Sequence, residues 1–410
     1  MTEELENALR RTLTDAAERA PKAPSGIGLE PRRARTSRGY SRVVLAAAAV
    51  AVAIGGATVG GRMVLSGSGS PPGTSPARHP AAAKSPVLHR PKKTNVPSIE
   101  KVWPGVAFRV PKTLPNGHAF HPEALIDGRT ILVSTESSFE KADALYAYDL
   151  RNHTARPITT VVTPPKTKVF ASDFTVGGGY AAWWLYDGSR TEIWAAPLSG
   201  GQARLVGQVS SRGLSRLAIA GKDAVWSLDP VGGVYRAPVT GGGTAQLVPG
   251  SASMHILAWP WIGTPPTTRG GGKGMGVGIT AFGHVKNALT GETRSAHLTD
   301  RGAWHCGLTW CVGQGPNFVT EAQRRDGSGR RAIPAQDPML GIPPILDRFA
   351  VVFPSGGTVA VYDLRNGKIG DLRIQYAKGG RSFVVPRDPA SRLYWTTTAD
   401  GYMIVDLGAI

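Results

Sequence analysis

Cys306 and Cys311, in WHCGLTWCVG, are the only cysteines among 410 residues. A lone close pair in a segment placed outside the cytoplasm reads as a disulfide. The LTW before the second cysteine suits a turn between two neighbouring strands, which brings the sulfurs within bonding reach. The rival chemistry is a metal site using His305. It needs further ligands, and none is clustered with it in sequence. The nine histidines are scattered, and His118 and His121, in NGHAFHP, fit a turn. No G-x-S-x-G elbow, H-E-x-x-H pair or EF-hand loop occurs. RGGGKGMGVG, at residues 269–278, has the look of a phosphate loop, but Lys273 is followed by Gly274 rather than Ser or Thr. These absences lower the prospect of catalysis and imply neither a cofactor nor a metal. In or beside that glycine-rich stretch stand Trp259, Trp261, Arg269 and Lys273. Exposed aromatics with cations can hold sugars or anionic groups. The competing use of the tryptophans is core packing.

What must position these residues is a repeated β-unit. In AAWWLYDGSRTEIWAAPLSGGQARLVG, residues 181–207, three runs of strand formers are separated by the turns DGSR and SGGQ. The second run, its turn and the third run recur. They begin at Leu145, Ile193, Val234, Val285, Phe318, Val359 and Met403, spaced by 48, 41, 51, 33, 41 and 44 residues. A period near 40–45 residues with four strands per unit is the pattern of propeller blades. A four-stranded sheet cannot bury both its faces alone, whereas sheets packed in a ring can. The expected fold class is therefore all-β, a β-propeller of seven blades with six as the fallback; a β-sandwich with similar hairpins is the competitor. The last unit ends at Ile410 with a strand still owed. The strand-like GVAFRVP, residues 105–111, is expected to supply it and close the ring, removing free sheet edges.

In such a ring, the loops joining second to third strands share one face with those joining each blade to the next. Here they are expected at residues 136–144, 186–191 and 263–275. They present Glu136, Glu140, Lys141, Asp187, Arg190, Arg269 and Lys273, with Trp259 and Trp261 nearby. Long loops on a rigid ring are where function concentrates, so this is the expected ligand or partner face.

The chain ahead of the propeller divides by composition. Residues 1–42 carry +3, residues 43–103 carry +6 and the remainder +9. No dense basic run lies inside the propeller, so no nucleic-acid partner is expected. Residues 1–42 form a cytoplasmic segment, with a helical pattern over 1–20 and then a disordered Pro/Gly/Arg-rich stretch. Residues 43–61 contain no charge, long enough to cross a bilayer core of ~30 Å. Five arginines (Arg32, Arg33, Arg35, Arg38 and Arg42) precede the span, and only Arg62 and Arg78 follow closely. That asymmetry puts the N-terminus inside. The 42-residue lead and the poor cleavage site favour an uncleaved signal anchor over 43–65, although cleavage stays open. Residues 66–104 read as a Pro-rich extracytoplasmic stalk, and 105–410 as the propeller.

DGSGRRAI, at residues 326–333, and IWAAPLSGGQARLV, at 193–206, resemble the repeat of TolB-type (WD40-like) β-propellers. The whole layout is similar to that of uncharacterised single-pass membrane propeller proteins of high-GC actinobacteria. The resemblance implies an architecture for residues ~105–410 and a place at the cell membrane, and it implies no ligand. The expected function is a membrane-anchored module that binds an unknown protein or cell-wall ligand and is not an enzyme. One alternative is a sensor whose N-terminal segment reports ligand binding inside. The other is a propeller lyase or quinone-dependent dehydrogenase. For the latter the tryptophans are too irregular.

Overall fold

The structure, a computed structural model, describes residues 88, 95–138, 140–265, 280–298, 303–315, 319–335, 337–338, 342–354, 358–375 and 390–410. The expected N-terminal helix, the anchor at 43–65 and most of the stalk lie outside the described residues. Among the described residues, no helix is long and apolar enough to cross a membrane.

The described chain opens with a single helical turn, α1 (Ile99–Val102), and then β1 (Ala107–Pro111). Four antiparallel strands make blade 1: β2 (Phe120–Leu125), β3 (Thr130–Ser138), β4 (Lys141–Asp149) and β5 (Ala155–Thr160). Blade 2 repeats this with β6 (Val169–Gly177), β7 (Tyr180–Tyr186), β8 (Thr191–Pro197) and β9 (Arg204–Val209). Blade 3 has β10 (Leu214–Ala220), β11 (Asp223–Leu228), β12 (Val234–Pro238) and β13 (Gln246–Leu247). Blade 4 has β14 (His255–Ala258), β15 (Trp261–Gly263), β17 (His284–Asn287) and β18 (Thr293–Ser295). The strand left between them, β16 (Thr280–Ala281), joins blade 5, running parallel to its first strand. Blade 5 continues with β19 (Ala303–Cys306), β20 (Trp310–Gln314), β21 (Thr320–Arg324) and β22 (Arg331–Ala332). Blade 6 has β23 (Asp337–Pro338), β24 (Phe349–Phe353), β25 (Thr358–Asp363) and β26 (Ile369–Gln375). Blade 7 contains β27 (Leu393–Thr397) and β28 (Gly401–Asp406), with β1 as its outer strand.

The molecule is thus a seven-bladed β-propeller. Each of the seven recurring phrases contributes the third strand of one blade. The ring closes as the sequence requires: Ala107 pairs with Val405 and Pro111 with Gly401. A side chain at Gly401 would collide with the carbonyl of Val110, so close approach of the closing strand demands glycine there. Tyr402 Oη adds a hydrogen bond to the Phe120 carbonyl at 2.7 Å, linking blade 7 to blade 1.

Packing between blades explains the composition of the strands. β7 (YAAWWLY) and β28 (GYMIVD) are buried almost throughout, because a neighbouring blade covers each of their faces. An apolar cluster fills every junction. Trp183 of blade 2 packs on Leu145 and Ile158 of blade 1, and Trp226 of blade 3 on Ile193 and Val206 of blade 2. Tyr394 and Val405 of blade 7 meet Val351 and Val361 of blade 6, while Ile404 meets Phe120 and Ile131 of blade 1. Burying one such side chain is worth about 1.5–3 kcal/mol.

The propeller begins earlier than the expected boundary at 105. Ile99 and Trp103 are buried against blade 6, with Trp103 edge-on to Phe349 at 6.5 Å. Ser98 bridges Asp371 on β26. The last residues assigned to the stalk therefore dock on the outer edge of blade 6 before the chain enters blade 7. Their apolar residues are too few to show a period, so composition alone assigns them to the stalk.

Cys306 and Cys311 stand directly opposite each other at the turn joining β19 to β20. They form a disulfide with both residues fully buried. His305 beside them is buried, which pushes its imidazole down to about 4.

Candidate functional site

Antiparallel strands alternate in direction, so each blade has two ends. Turns between first and second strands, and between third and fourth, lie at one end. Turns between second and third strands, and links to the next blade, lie at the other. The first strands of blades 1 to 4 lie side by side, the arrangement that lines a propeller's central channel.

The linking end is the expected ligand face, and the structure refines its membership. Glu136 lies within β3 and Lys141 begins β4, so the expected loop over 136–144 is mostly strand. Register shifts around Glu136 let this hairpin run on to a tight turn. Glu140, exposed and at φ 57°, occupies that turn. In the adjacent blade, Asp187 accepts hydrogen bonds from the Ser189 and Arg190 backbone N–H groups. The Arg190 amide is the largest of the effects that hold the Asp187 carboxyl down at about 2. Arg190 itself leans on Asp187 and on the buried Glu192, at 3.4 and 3.6 Å. These five residues sit on two neighbouring blades at one end of the ring.

Trp259 and Trp261 are not with them. Trp259 is in the turn between the first and second strands of blade 4, and Trp261 pairs with Asn287 beside the turn after the third strand. Both belong to the opposite end of the ring. Trp261 is buried under the Arg294 guanidinium at 4.4 Å. The chain from Trp261 to Gly263 spans the blade, so residues close in sequence emerge at different faces. Arg269 and Lys273 lie outside the described residues.

A second set of residues, not apparent in the sequence, faces the channel from this linking end. Four of the first strands carry a bulge; that of β14 turns Leu257 into the core, whereas the other three each deliver one polar side chain. In β2 the register shifts between Pro122 and Ala124, leaving Glu123 unpaired. In β6 it shifts between Ser172 and Thr175, where Asp173 adopts φ 51°. In β10 it shifts between Leu214 and Arg216, leaving Ser215. A bulge adds one residue to one strand and re-aims its side chain.

Around Glu123, hydrogen bonding and burial pull in opposite directions. Ser134 Oγ donates to Glu123 Oε1 at 2.5 Å. Burial pushes the Glu123 carboxyl up to about 7, opposed by Ser134 and His121 and assisted by the charges of Glu136 and Asp173. His121 Nε2 lies 3.5 Å from Glu136 Oε2, each side chain about a quarter exposed. The hydrogen bond to Glu136 raises the imidazole above its ordinary value, against the effect of burial. Asp173 is exposed and accepts from Trp184 Nε1 at 2.8 Å. The centre of this cluster is acidic. A carboxyl that titrates near neutrality inside a channel is an indicator of function.

Ser215 belongs to a neighbouring polar cluster. Its Oγ lies 2.7 Å from His255 Nδ1 and 2.8 Å from Ser227 Oγ. Burial lowers the His255 imidazole, while Asp229 raises it through charge alone. A nucleophilic relay requires a carboxylate hydrogen-bonded to the histidine. Here the second partner of the hydroxyl is another serine, which makes the pair a brace between blades 3 and 4. Among the described residues, no three His, Cys, Asp or Glu are grouped to hold a metal ion.

No protein-family profile and no curated protein matches the chain. Solved structures similar to it include the computationally designed Ika8 protein, at 13% identity over 71% of this chain and 85% of that one, with a TM-score of 0.37. BamB from Moraxella catarrhalis is similar at 14% identity over 70% of this chain and 85% of that one, with a TM-score of 0.36. The β-propeller domain of the Trilobed protease from Pyrococcus furiosus is similar at 12% identity over 62% and 84%, with a TM-score of 0.40. The architecture described above rests on the strand pairings of this chain itself.

Proposed function

We propose that this seven-bladed propeller is a non-catalytic binding module of the cell envelope. It is held at the membrane by residues 43–65 and receives a cationic group of a protein or wall ligand at the linking end of its channel. One observation carries the reading: bulges in adjacent blades aim Glu123 and Asp173 into the same space, beside Glu136. A lysine, arginine or amine entering there displaces the proton from Glu123 and gains charge-assisted hydrogen bonds. Among the described residues the enzyme alternatives find no comparable assembly, and the Ser215–His255 pair braces blades 3 and 4.

The test is crosslinking in intact cells followed by mass spectrometry, comparing the native chain with a Glu123→Gln, Asp173→Asn double variant. Loss of a specific crosslinked partner in the variant, with folding intact, is the expected outcome. An identical set of partners sinks the reading. Topology is tested separately: protease added to spheroplasts should remove the propeller and spare roughly the first 40 residues. Deleting residues 1–30 distinguishes a sensor, which would lose signalling while retaining capture.

A further inference from the structure

At the opposite end of the ring, a cavity of about 520 Å³ lies between the outer turns of blades 5 and 6. Thr309 and Trp310, at the start of β20, form its floor, and Arg324, Ser328 and Arg331 flank it from the last turn of blade 5. Arg365, from the corresponding turn of blade 6, completes it, and no carboxylate lines it. Arg331 and Arg324 place their guanidinium carbons 5.0 and 5.5 Å from the centroid of the Trp310 ring.

The neighbouring acids are already engaged. Asp326 accepts from the Ser328 amide and hydroxyl, closing its own turn. Asp347 accepts from the Thr309 amide at 2.8 Å. Asp363 is held by Arg348. Arg330, one residue from Arg331, is taken by Glu321 at 2.7 Å. By contrast, Arg324, Arg331 and Arg365 make no ion pair among the described residues. Arg331 donates from Nη2 to the Leu364 carbonyl, but its buried Nε has no hydrogen-bond partner. Three cations thus border one cavity whose lining holds no carboxylate, the nearby Asp326 charge acting on Arg324 alone among them.

We propose that this pocket binds the phosphate group of a small phosphate ester. A carboxylate is satisfied by a single forked arginine, whereas three guanidiniums from two blades match the terminal oxygens of a phosphate. The cavity lies within the usual range of small-molecule sites, on the order of 300–1,000 Å³, so a sugar-sized body fits beside the phosphate.

Calorimetric titration of the full-length chain in detergent with glucose 6-phosphate, and with glucose, tests the proposal. The ester should bind saturably and glucose should give no binding heat. The Arg324→Ala, Arg365→Ala double variant, altered only at exposed positions, should bind the ester at least about tenfold more weakly with an unchanged melting curve. Arg331→Lys should also weaken it, because the charge stays while the fork is lost. Absence of saturable heat up to about 10 mM ester, far beyond the range of specific sites, overturns the proposal. So does equal binding by glucose or by the double variant. Arginine-dependent flotation with phosphatidylglycerol vesicles, without ester binding, would overturn the small-ester source in favour of a lipid headgroup. The pocket is remote from Glu123, so its failure leaves the capture of a cationic partner at the other end standing.

Discussion

Arg348 grips Asp363 with Nη2 at 2.6 Å from Oδ2, and with Nη1 it holds the carbonyl of Ile410 at 2.6 Å. One side chain thereby ties the end of a third strand in blade 6 to the end of the chain in blade 7. The arrangement recurs. Arg129 pairs with Asp149 at 2.7 Å and Arg392 with Asp406 at 2.7 Å. Each arginine immediately precedes a second strand, and each aspartate ends a third strand while capping the following turn through its other oxygen.

Asp363 is fully buried and Arg348 largely so. Asp363→Asn keeps the turn cap but leaves a guanidinium without its counter-charge, so a loss of about 3 kcal/mol is expected in urea unfolding. Asp149→Asn, at an exposed pair, should move the urea midpoint far less. Equal effects at the two sites would show that burial does not set the strength of this staple.

Glu123 should contribute stability that falls as pH rises toward neutral, opposite in sign to the buried imidazoles of His305 and His255, whose lowered values make their contribution grow with pH. Glu123 has its carboxyl raised to about 7. The folded state therefore keeps a proton that the unfolded chain releases near pH 4.5. Its stabilising contribution is complete below that value and is lost as pH approaches 7. His121, raised by Glu136, acts in the same direction, its contribution fading as pH passes its raised value. Relative to the native chain, Glu123→Gln should remove a downward component of the stability profile between about pH 5 and pH 7, on the order of 1–3 kcal/mol after allowing for the partial exposure of the site. Unfolding midpoints measured across that window would show it, and a slope unchanged by the substitution would place the titration elsewhere.

Trp103→Ala should cost about 3 kcal/mol, the usual penalty for emptying a buried aromatic site. A chain starting at residue 95 should correspondingly melt higher than one starting at 105, because only the first retains Ile99 and Trp103 against blade 6. Identical melting temperatures would return those residues to the stalk.

The disulfide closes a loop of only a few residues within one hairpin. Replacing both Cys306 and Cys311 by Ala should therefore cost about 2 kcal/mol and leave the ring intact. Collapse of the whole propeller on calorimetry would mean that blade 5 is the weak link of closure.

The strand repeat was legible because third strands are the most constrained part of a blade. VYDLRN in blade 6 and AYDLRN in blade 1 combine a doubly covered strand with an aspartate-capped turn, so the same residues return wherever that geometry does. Closure by residues 105–111 was legible for a related reason, since a strand count one short leaves an edge to be filled. Trp259 and Trp261 were placed at the wrong end of blade 4 because sequence proximity to a loop says nothing about strand direction. The channel carboxylates left no signal. Glu123 in FHPEAL and Asp173 in FASDFT look like ordinary polar positions of alternating strands.

By itself, the sequence set the blade repeat and the closing strand and favoured seven blades over six and a disulfide over a metal site; the strand pairings decided both. The repeat and these preferences follow from local periodicity and short-range turn chemistry. The tertiary structure decided which polar groups meet. The register shifts that turn Glu123, Asp173 and Ser215 out of the strand alternation appear only in the paired strands. Only the packing of blades brings carboxylates about fifty residues apart into one channel mouth and leaves three arginines facing a single cavity at the other end of the ring.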